Sequence, residues 1–360
     1  RRPWNRKLVI EKIPFFIVSL VFGSVALIAK QGVTQESTLW MKILMGTKSS
    51  VFYIEKFFVP IHLSVLYPYA HSITLSSPDF FIPMLIVIGL VGIAVASHRK
   101  NTFITFGIAW YLLTLVPTFF NFAKGGFFYV ASDRYAYIPQ LGIIFLLLTA
   151  IDRYLSSHPQ KNIRTALSIA CIFCISAFAY LSYQQSLVWR STDTLFKHTL
   201  QYYPEAIPAR MNLGYVYRES KLFDQAKAQF DEILRINPKS GLAHVNLGAV
   251  YQQQAQDEAA IAEYKKAIDV QPTLLDGYFS LGMLYEKQGK LDDAYKMYKE
   301  VERINPAYYA IYNNLASIEV QRGNVPEAEA HYKEAIALNP YYADAHFNLG
   351  AIYFSAHRLQ

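Results

Sequence analysis

Prolines stand at 204, 238, 272, 306 and 340, each 34 residues after the last. A period of that length means stacked helix pairs, because one such unit cannot bury its apolar face alone and must share it with its neighbours. Counting from each proline divides the chain into units at 207–240, 241–274, 275–308 and 309–342, with an incomplete fifth. Each proline closes a second helix, since it has no amide donor and its ring clashes with a continuing turn.

Within each unit the same residues recur. A large knob and a small neighbour stand together at Leu213-Gly214, Leu247-Gly248, Leu281-Gly282, Leu315-Ala316 and Leu349-Gly350. That combination at this period is tetratricopeptide packing. Tyr217, Tyr251, Tyr285 and Tyr353 follow three residues on, and Ala226, Ala260, Ala294 and Ala328 precede Phe230, Tyr264, Tyr298 and Tyr332 by four. The second helix of each unit therefore carries one narrow apolar stripe. Glu319 takes the place of the expected tyrosine, which predicts looser packing in the fourth repeat. Residues 191–204, with Phe196 eight before Pro204, match the spacing of a second helix and read as a capping half-repeat inside a 188–206 linker. Leu349, Ile352 and Tyr353 are left without a covering helix, and the chain opens at Arg1, so the sequence reads as a piece of a longer protein.

Position six of the first helix holds Asn212, Asn246, Asn314 and Asn348, with Ser280 as the exception. An amide side chain donates and accepts at once, so such a line can hold the backbone of an extended peptide without reading its sequence. The repeats resemble those of the nucleocytoplasmic O-linked N-acetylglucosamine transferase, which uses an asparagine ladder of this kind. The alternative is that each asparagine bonds only to a neighbouring helix.

The formal charge of +7 averages two unlike halves. Residues 1–190 hold 17 Lys+Arg against 6 Asp+Glu, and residues 191–360 hold 17 against 21. The excess of cations belongs to a membrane half, and the acidic solenoid has no basic stripe for nucleic acid. Apolar stretches at 13–29, 80–97, 103–120, 138–154 and 163–182 approach the 20 or so residues that cross a bilayer. The expectation is an all-α chain: a membrane domain of about five spans over 1–187, then a tetratricopeptide solenoid over 207–360. Positive clusters at 1–7, 97–100 and 152–164 face the cytoplasm by the positive-inside rule, which places the solenoid on the other side. The aromatic run at 51–69, interrupted by Glu55, Lys56 and two prolines, reads as an amphipathic or re-entrant helix at the outer interface, its charged pair on a solvated face rather than in substrate handling. Cys171 and Cys174 lie in the last apolar stretch with no other thiol or histidine near in sequence, and read as apolar packing residues rather than a metal or redox pair.

The loop from Ala131 to Pro139 sets Asp133, Arg134, Tyr135 and Tyr137 at a membrane boundary. Arg134 there either grips a phosphate in bidentate fashion or pairs with Asp133 to anchor the span. Glu11 to Phe16, the Leu66-Tyr67-Pro68 turn, Trp110-Tyr111 with Leu115-Val116-Pro117, Asp133-Arg134-Tyr135 with Tyr137-Ile138-Pro139, and Trp189-Arg190-Ser191 with Thr194-Leu195-Phe196 form an ordered set. In that set the chain resembles membrane proteins that join a C-type glycosyltransferase region to tetratricopeptide repeats, including the transmembrane O-mannosyltransferases with such repeats. The resemblance implies sugar transfer from a polyprenyl-phosphate carrier to a protein acceptor held in the repeat groove, with Arg134, Tyr135 and Tyr137 at the carrier phosphate. The carboxylates that such chemistry needs lie, in that family, in a first outer loop upstream of these residues. Of the acids at 11, 36, 55, 79, 133 and 152, none forms an acidic pair, so no catalytic base is assigned. No metal or cofactor is expected, and the partners are a protein or peptide acceptor and membrane lipid. The location that follows is a bacterial inner membrane with the repeats in the periplasm, or the endoplasmic reticulum with luminal repeats in a eukaryote. A non-catalytic membrane-tethered scaffold and an O-antigen ligase or polymerase are the competing readings.

Overall fold

The computed structural model describes residues 38–60, 63–64, 67–69, 73–116, 123–124, 127–130, 137–158 and 160–355. Among them are fifteen helices and one small sheet, and the chain divides into two compact units after Pro204.

The first unit contains α1 (Leu39–Phe58), α2 (Pro78–Ser97), α3 (Thr102–Leu115), α4 (Tyr137–Ser157), α5 (Lys161–Val188) and α6 (Thr192–Tyr202). Three short antiparallel strands, β1 (Pro68–Tyr69), β2 (Ala123–Lys124) and β3 (Phe127–Tyr129), pair in the order β1-β3-β2. Among the described residues α2, α4 and α5 are long and apolar enough to cross a membrane, three rather than the five expected. Of the stretch at 103–120, the described residues form the 14-residue α3, and 117–120 lie outside them. The stretch at 13–29 lies outside the described residues.

The interfacial segment expected at 51–69 also differs. The helix begins twelve residues earlier, where the Thr38 hydroxyl accepts from the Met41 amide, and it stops at Phe58, two residues before Pro60. Its middle is buried despite Thr47, Ser49 and Ser50, because each hydroxyl donates to a carbonyl of its own helix, at Leu44, Met45 and Gly46, all at 2.8 Å. A hydroxyl satisfied in this way costs little to bury. Leu44, Met45 and Tyr53 then pack with Tyr67, Tyr69, Phe80, Tyr111, Leu115 and Ile143 as the unit's core. Helices α3 and α4 cross at Gly107 and Gly142, where a Cβ on Gly142 would stand 2.6 Å from the Gly107 carbonyl oxygen. No residue of α5 is buried, and Cys171 and Cys174 lie on its exposed surface with free thiols.

Helix α6, the expected half-repeat, starts in a capping box of Ser191 and Thr194. It packs within the first unit: the Thr199 hydroxyl lies 3.3 Å from that of Ser64, and the Tyr203 ring meets Tyr67 edge-on at 5.9 Å.

The second unit is the solenoid: α7 (Ile207–Glu219), α8 (Phe223–Ile236), α9 (Gly241–Gln253), α10 (Asp257–Val270), α11 (Leu275–Lys287), α12 (Leu291–Ile304), α13 (Tyr309–Gln321), α14 (Val325–Leu338) and α15 (Ala343–Ser355). The small residue of each first helix is where the second helix lays its ring. A Cβ on Gly214, Gly248 or Gly282 would come within 2.6 Å of Phe230, Tyr264 or Tyr298. Every turn between paired helices is also the same. Its fifteenth residue takes a left-handed backbone, at Lys221 (φ 59°), Ala255 (φ 58°), Gly289 (φ 72°) and Gly323 (φ 78°), and the next amide bonds back to Tyr217, Tyr251, Tyr285 or Glu319. This is the Schellman closure, which glycine adopts without strain. At the other end, Asn237, Asn305 and Asn339 precede the periodic prolines in extended or near-extended backbone and accept the amide two residues on through the side chain at 3.2 Å.

The fourth repeat is not loosened by Glu319. Its carboxylate is 5 % exposed and accepts from Arg322 and Asn324, each at 3.0 Å, while the Arg322 guanidinium lies over the Tyr295 ring of the preceding repeat at 4.6 Å. A buried carboxylate with two donors replaces the tyrosine, and Leu315, Ala316 and Ile318 beside it are fully buried.

The turns generate a pair of opposite predictions. Ala255→Gly should raise and Gly323→Ala should lower the stability of the solenoid, each by about 1 kcal/mol, read from urea unfolding. A loss in the first, or no change in either, would contradict the backbone geometry.

Candidate binding face and a charged centre

In the solenoid the first helices of successive repeats are cross-linked by their own side chains. The Asn246 amide donates to the Leu242 carbonyl at 2.7 Å and to the Tyr215 hydroxyl at 3.2 Å, and its oxygen accepts from Arg218 at 3.2 Å. The Asn348 amide donates to the Asn313 side chain at 3.0 Å, and Ser317 and Gln321 donate to Glu286. Asn314 hydrogen-bonds the Tyr298 hydroxyl, which itself donates to Glu286 at 2.8 Å. Burial, then the Glu286 charge, raises the Tyr298 pKa and keeps that donor protonated. The position-six residues thus tie repeats together. Asn246 is 4 % exposed, Asn314 and Asn348 are half-buried, and Asn212, which donates to the Pro208 carbonyl of its own helix, is the exposed member of the four.

The open face of the first-helix layer carries side chains that the asparagine pattern alone does not mark. Position nine supplies Tyr215, Ala249, Met283 and Ser317, with Met283 47 % exposed, and position two supplies the exposed Leu242 and Asp276. The Arg218 guanidinium lies 5.4 Å from the centre of the Tyr215 ring and also pairs with Glu219 at 3.0 Å. Residues 211, 215 and 218 fall four and three apart, the helical spacing of one face, which is the signal that points to them. The face offers apolar, amide and guanidinium groups side by side.

The first unit has a charged centre. Lys48 of α1 pairs with Asp79 in the first turn of α2 at 3.1 Å, and the Tyr69 hydroxyl of β1 donates to the same carboxylate oxygen at 3.2 Å. The ammonium sits 4.9 Å from the centre of the Tyr69 ring and 5.4 Å from that of Phe80. Burial, with help from the Asp79 charge and hydrogen bond, pushes the Tyr69 hydroxyl up to about 12, so it stays a donor. Asp79 is held by its place in α2, whose first turn is capped by Ser77. Glu55 pairs with its neighbour Lys56 at 3.8 Å, and Glu36, Asp133, Arg134 and Tyr135 lie outside the described residues. Tyr137 opens α4 with 71 % of its surface exposed. Among the described residues no three His, Cys, Asp or Glu side chains come together around a space for a metal ion.

Removing either partner of the Lys48–Asp79 pair should have unequal effects. The ammonium is 19 % exposed and the carboxylate 50 %, so Asp79→Ala strands a covered cation while Lys48→Met leaves a carboxylate that water reaches. Asp79→Ala should cost about 1–3 kcal/mol, and Lys48→Met less, in thermal unfolding of the detergent-solubilised chain. Equal losses would mean that the centre is solvated.

Tetratricopeptide-repeat family models match the chain at residues 207–240, at 285–333, and at 256–289 with 316–356, and none of these matches extends upstream of residue 207. No curated protein matches in sequence. Among solved structures, the Pseudomonas aeruginosa protein PilF is 22 % identical, with 43 % of this chain and 70 % of that one covered at a TM-score of 0.40. MamA from Desulfovibrio magneticus is 16 % identical, with 47 % and 96 % covered at 0.38. YrrB, described as a repeat protein with an unusual peptide-binding site, is 22 % identical, with 51 % and 90 % covered at 0.36. The repeats of this chain are tetratricopeptide repeats.

Proposed function

We propose that the chain is a membrane-held polypeptide-binding protein, whose solenoid takes an extended segment of a partner along the open face of its first helices. The observation that carries this reading is the composition of that face. Met283 and Leu242 offer exposed apolar anchors, Asn212 an exposed amide, and Arg218 a cation stacked on Tyr215. Such a mixture suits a peptide backbone with alternating apolar side chains better than it suits a small molecule. The apolar helices α2, α4 and α5 keep the solenoid at a bilayer. The cationic excess of residues 1–190 orients it away from the cytoplasm, into the periplasm of a bacterium or the lumen of the endoplasmic reticulum.

A second reading gives the first unit a reaction: sugar transfer from a polyprenyl-phosphate carrier to the bound polypeptide. The charged centre favours it. Asp79 supplies a carboxylate at the end of a membrane helix, Lys48 a cation beside it and Tyr69 a protonated phenol, the group types that this transfer uses on an acceptor hydroxyl and a departing phosphate. Arg134, Tyr135 and Tyr137 would contact the carrier phosphate in the same reading.

Three measurements separate these readings. Asn212→Ala combined with Met283→Glu should weaken binding of peptides selected from a random library on the wild-type chain by roughly tenfold, with unchanged circular dichroism. Unaltered affinity removes the open face from function. The chain should stay with membranes after alkaline extraction, and a reporter fused after Gln185 should score outside the cytoplasm; a cytoplasmic score reverses the orientation. With labelled polyprenyl-phosphate sugars, Asp79→Asn should reduce transfer by roughly a hundredfold or more, and wild-type transfer by the variant would leave the binding reading alone.

A further inference from the structure

The turn between α2 and α3 carries two adjacent cations, Arg99 and Lys100, next to His98, all exposed. They border a cavity of about 550 Å³ whose remaining walls are Ala94, Val95, Ala96 and Thr105. The turn is a tight one: the amides of Lys100 and Asn101 bond to the Ser97 carbonyl at 3.0 and 2.7 Å, and the Thr105 hydroxyl donates to Ala94 at 2.9 Å, which pins α3 to α2 behind the cavity. Among the described residues the ion pairs of the first unit are Lys48–Asp79, Lys56–Glu55 and Lys197–Asp193, so none engages Arg99 or Lys100. The cavity therefore has an apolar wall on one side and, on the other, positive charge that no described carboxylate pairs with.

Its depth follows from α2. Twenty helical residues at about 1.5 Å each span about 30 Å, the thickness of a bilayer's hydrocarbon core. The helix exposes Phe81, Ile82, Leu85, Ile86, Ile88, Val91, Ile93 and Val95 along this length, so the Ser97 end emerges at one headgroup layer, whichever way the helix points. Phosphate groups of lipids lie at that level, with glycerol and the first acyl carbons just beneath. We infer that the cavity at the α2–α3 turn binds the headgroup of an anionic phospholipid. Arg99 takes the phosphate oxygens in bidentate fashion, Lys100 adds charge, His98 offers a ring N–H, and the wall of Ala94 to Ala96 receives the apolar base of the lipid. Charge and wall together select a lipid over a soluble anion, which would use the cations alone.

The inference rests on α2 crossing a bilayer, which alkaline extraction tests separately. Native mass spectrometry of the detergent-solubilised full chain, titrated with phosphatidylglycerol and with phosphatidylcholine, reads it directly. The wild type should retain phosphatidylglycerol preferentially. Arg99→Gln with Lys100→Gln, both at exposed positions, should reduce that preference by roughly 30-fold, the expectation for losing two cations at an anionic site. Circular dichroism checks that the variant keeps its fold, and Arg99→Lys with Lys100→Arg, which keeps both charges, should retain most of the preference. Equal retention of the two lipids by the wild type, or an unchanged preference in the Gln variant, overturns the proposal. Displacement of phosphatidylglycerol by equimolar inorganic phosphate overturns it as well, because the site would then be one for a soluble anion.

Discussion

The solenoid depends on one close approach: a small residue on each first helix received by an aromatic ring on the second. At Gly248 and Gly282 even a methyl group would lie within 2.6 Å of the ring carbons of Tyr264 and Tyr298. That contact sets the distance between paired helices, and overpacking it costs on the order of 1–3 kcal/mol. The ring is held in turn. Tyr264 donates to Gln252 and Tyr298 to Glu286 across the pair, and Ser280 and Asn314 of the following repeat bond the same hydroxyls. One residue thus fixes the spacing within a repeat and its register with the next. The direction of the first-helix layer, and so the shape of its open face, follows from it.

The first unit solves a different problem, which is how to bury polar groups among apolar helices. Helix α1 does so locally, with three hydroxyls turned onto its own carbonyls, and then through tertiary bonds in which Ser49 donates to the Val130 carbonyl and Tyr111 to that of Ser50. Lys48, a half-buried charge, comes with its carboxylate and two aromatic faces. The unequal exposure of the two partners leaves Asp79 open to solvent while Lys48 is largely covered.

The repeats were legible in the sequence because every determinant is local and recurs. The proline period, the Leu-Gly pair and the alanine–aromatic stripe each fall within one helix or turn, and the four full helix pairs stand where they predict. What escaped was what depends on distant partners. Glu319 looks like a defect until Arg322 and Asn324 fold back onto it. The asparagine line looks uniform, yet Asn246 meets Tyr215 and Arg218 because Phe230 has no hydroxyl to offer it, whereas Asn314 finds the hydroxyl of Tyr298. Lys48 and Asp79 are 31 residues apart and unremarked in sequence, and only the packing of α1 on α2 joins them. The aromatic run at 51–69 did not reveal where its helix begins, because the Thr38 cap that starts it at Leu39 lies upstream of the run.

Under the proposed function the apolar helices would hold the chain at a bilayer, and the layer of first helices would present amide, apolar and cationic groups to a polypeptide. The most direct test is photocrosslinking in cells from a benzoylphenylalanine placed at residue 283, on the open face, against one at residue 296, on the second-helix layer. The account predicts protease-sensitive partner adducts from position 283 and none from 296. Adducts from 296 alone, or from neither position, would contradict it.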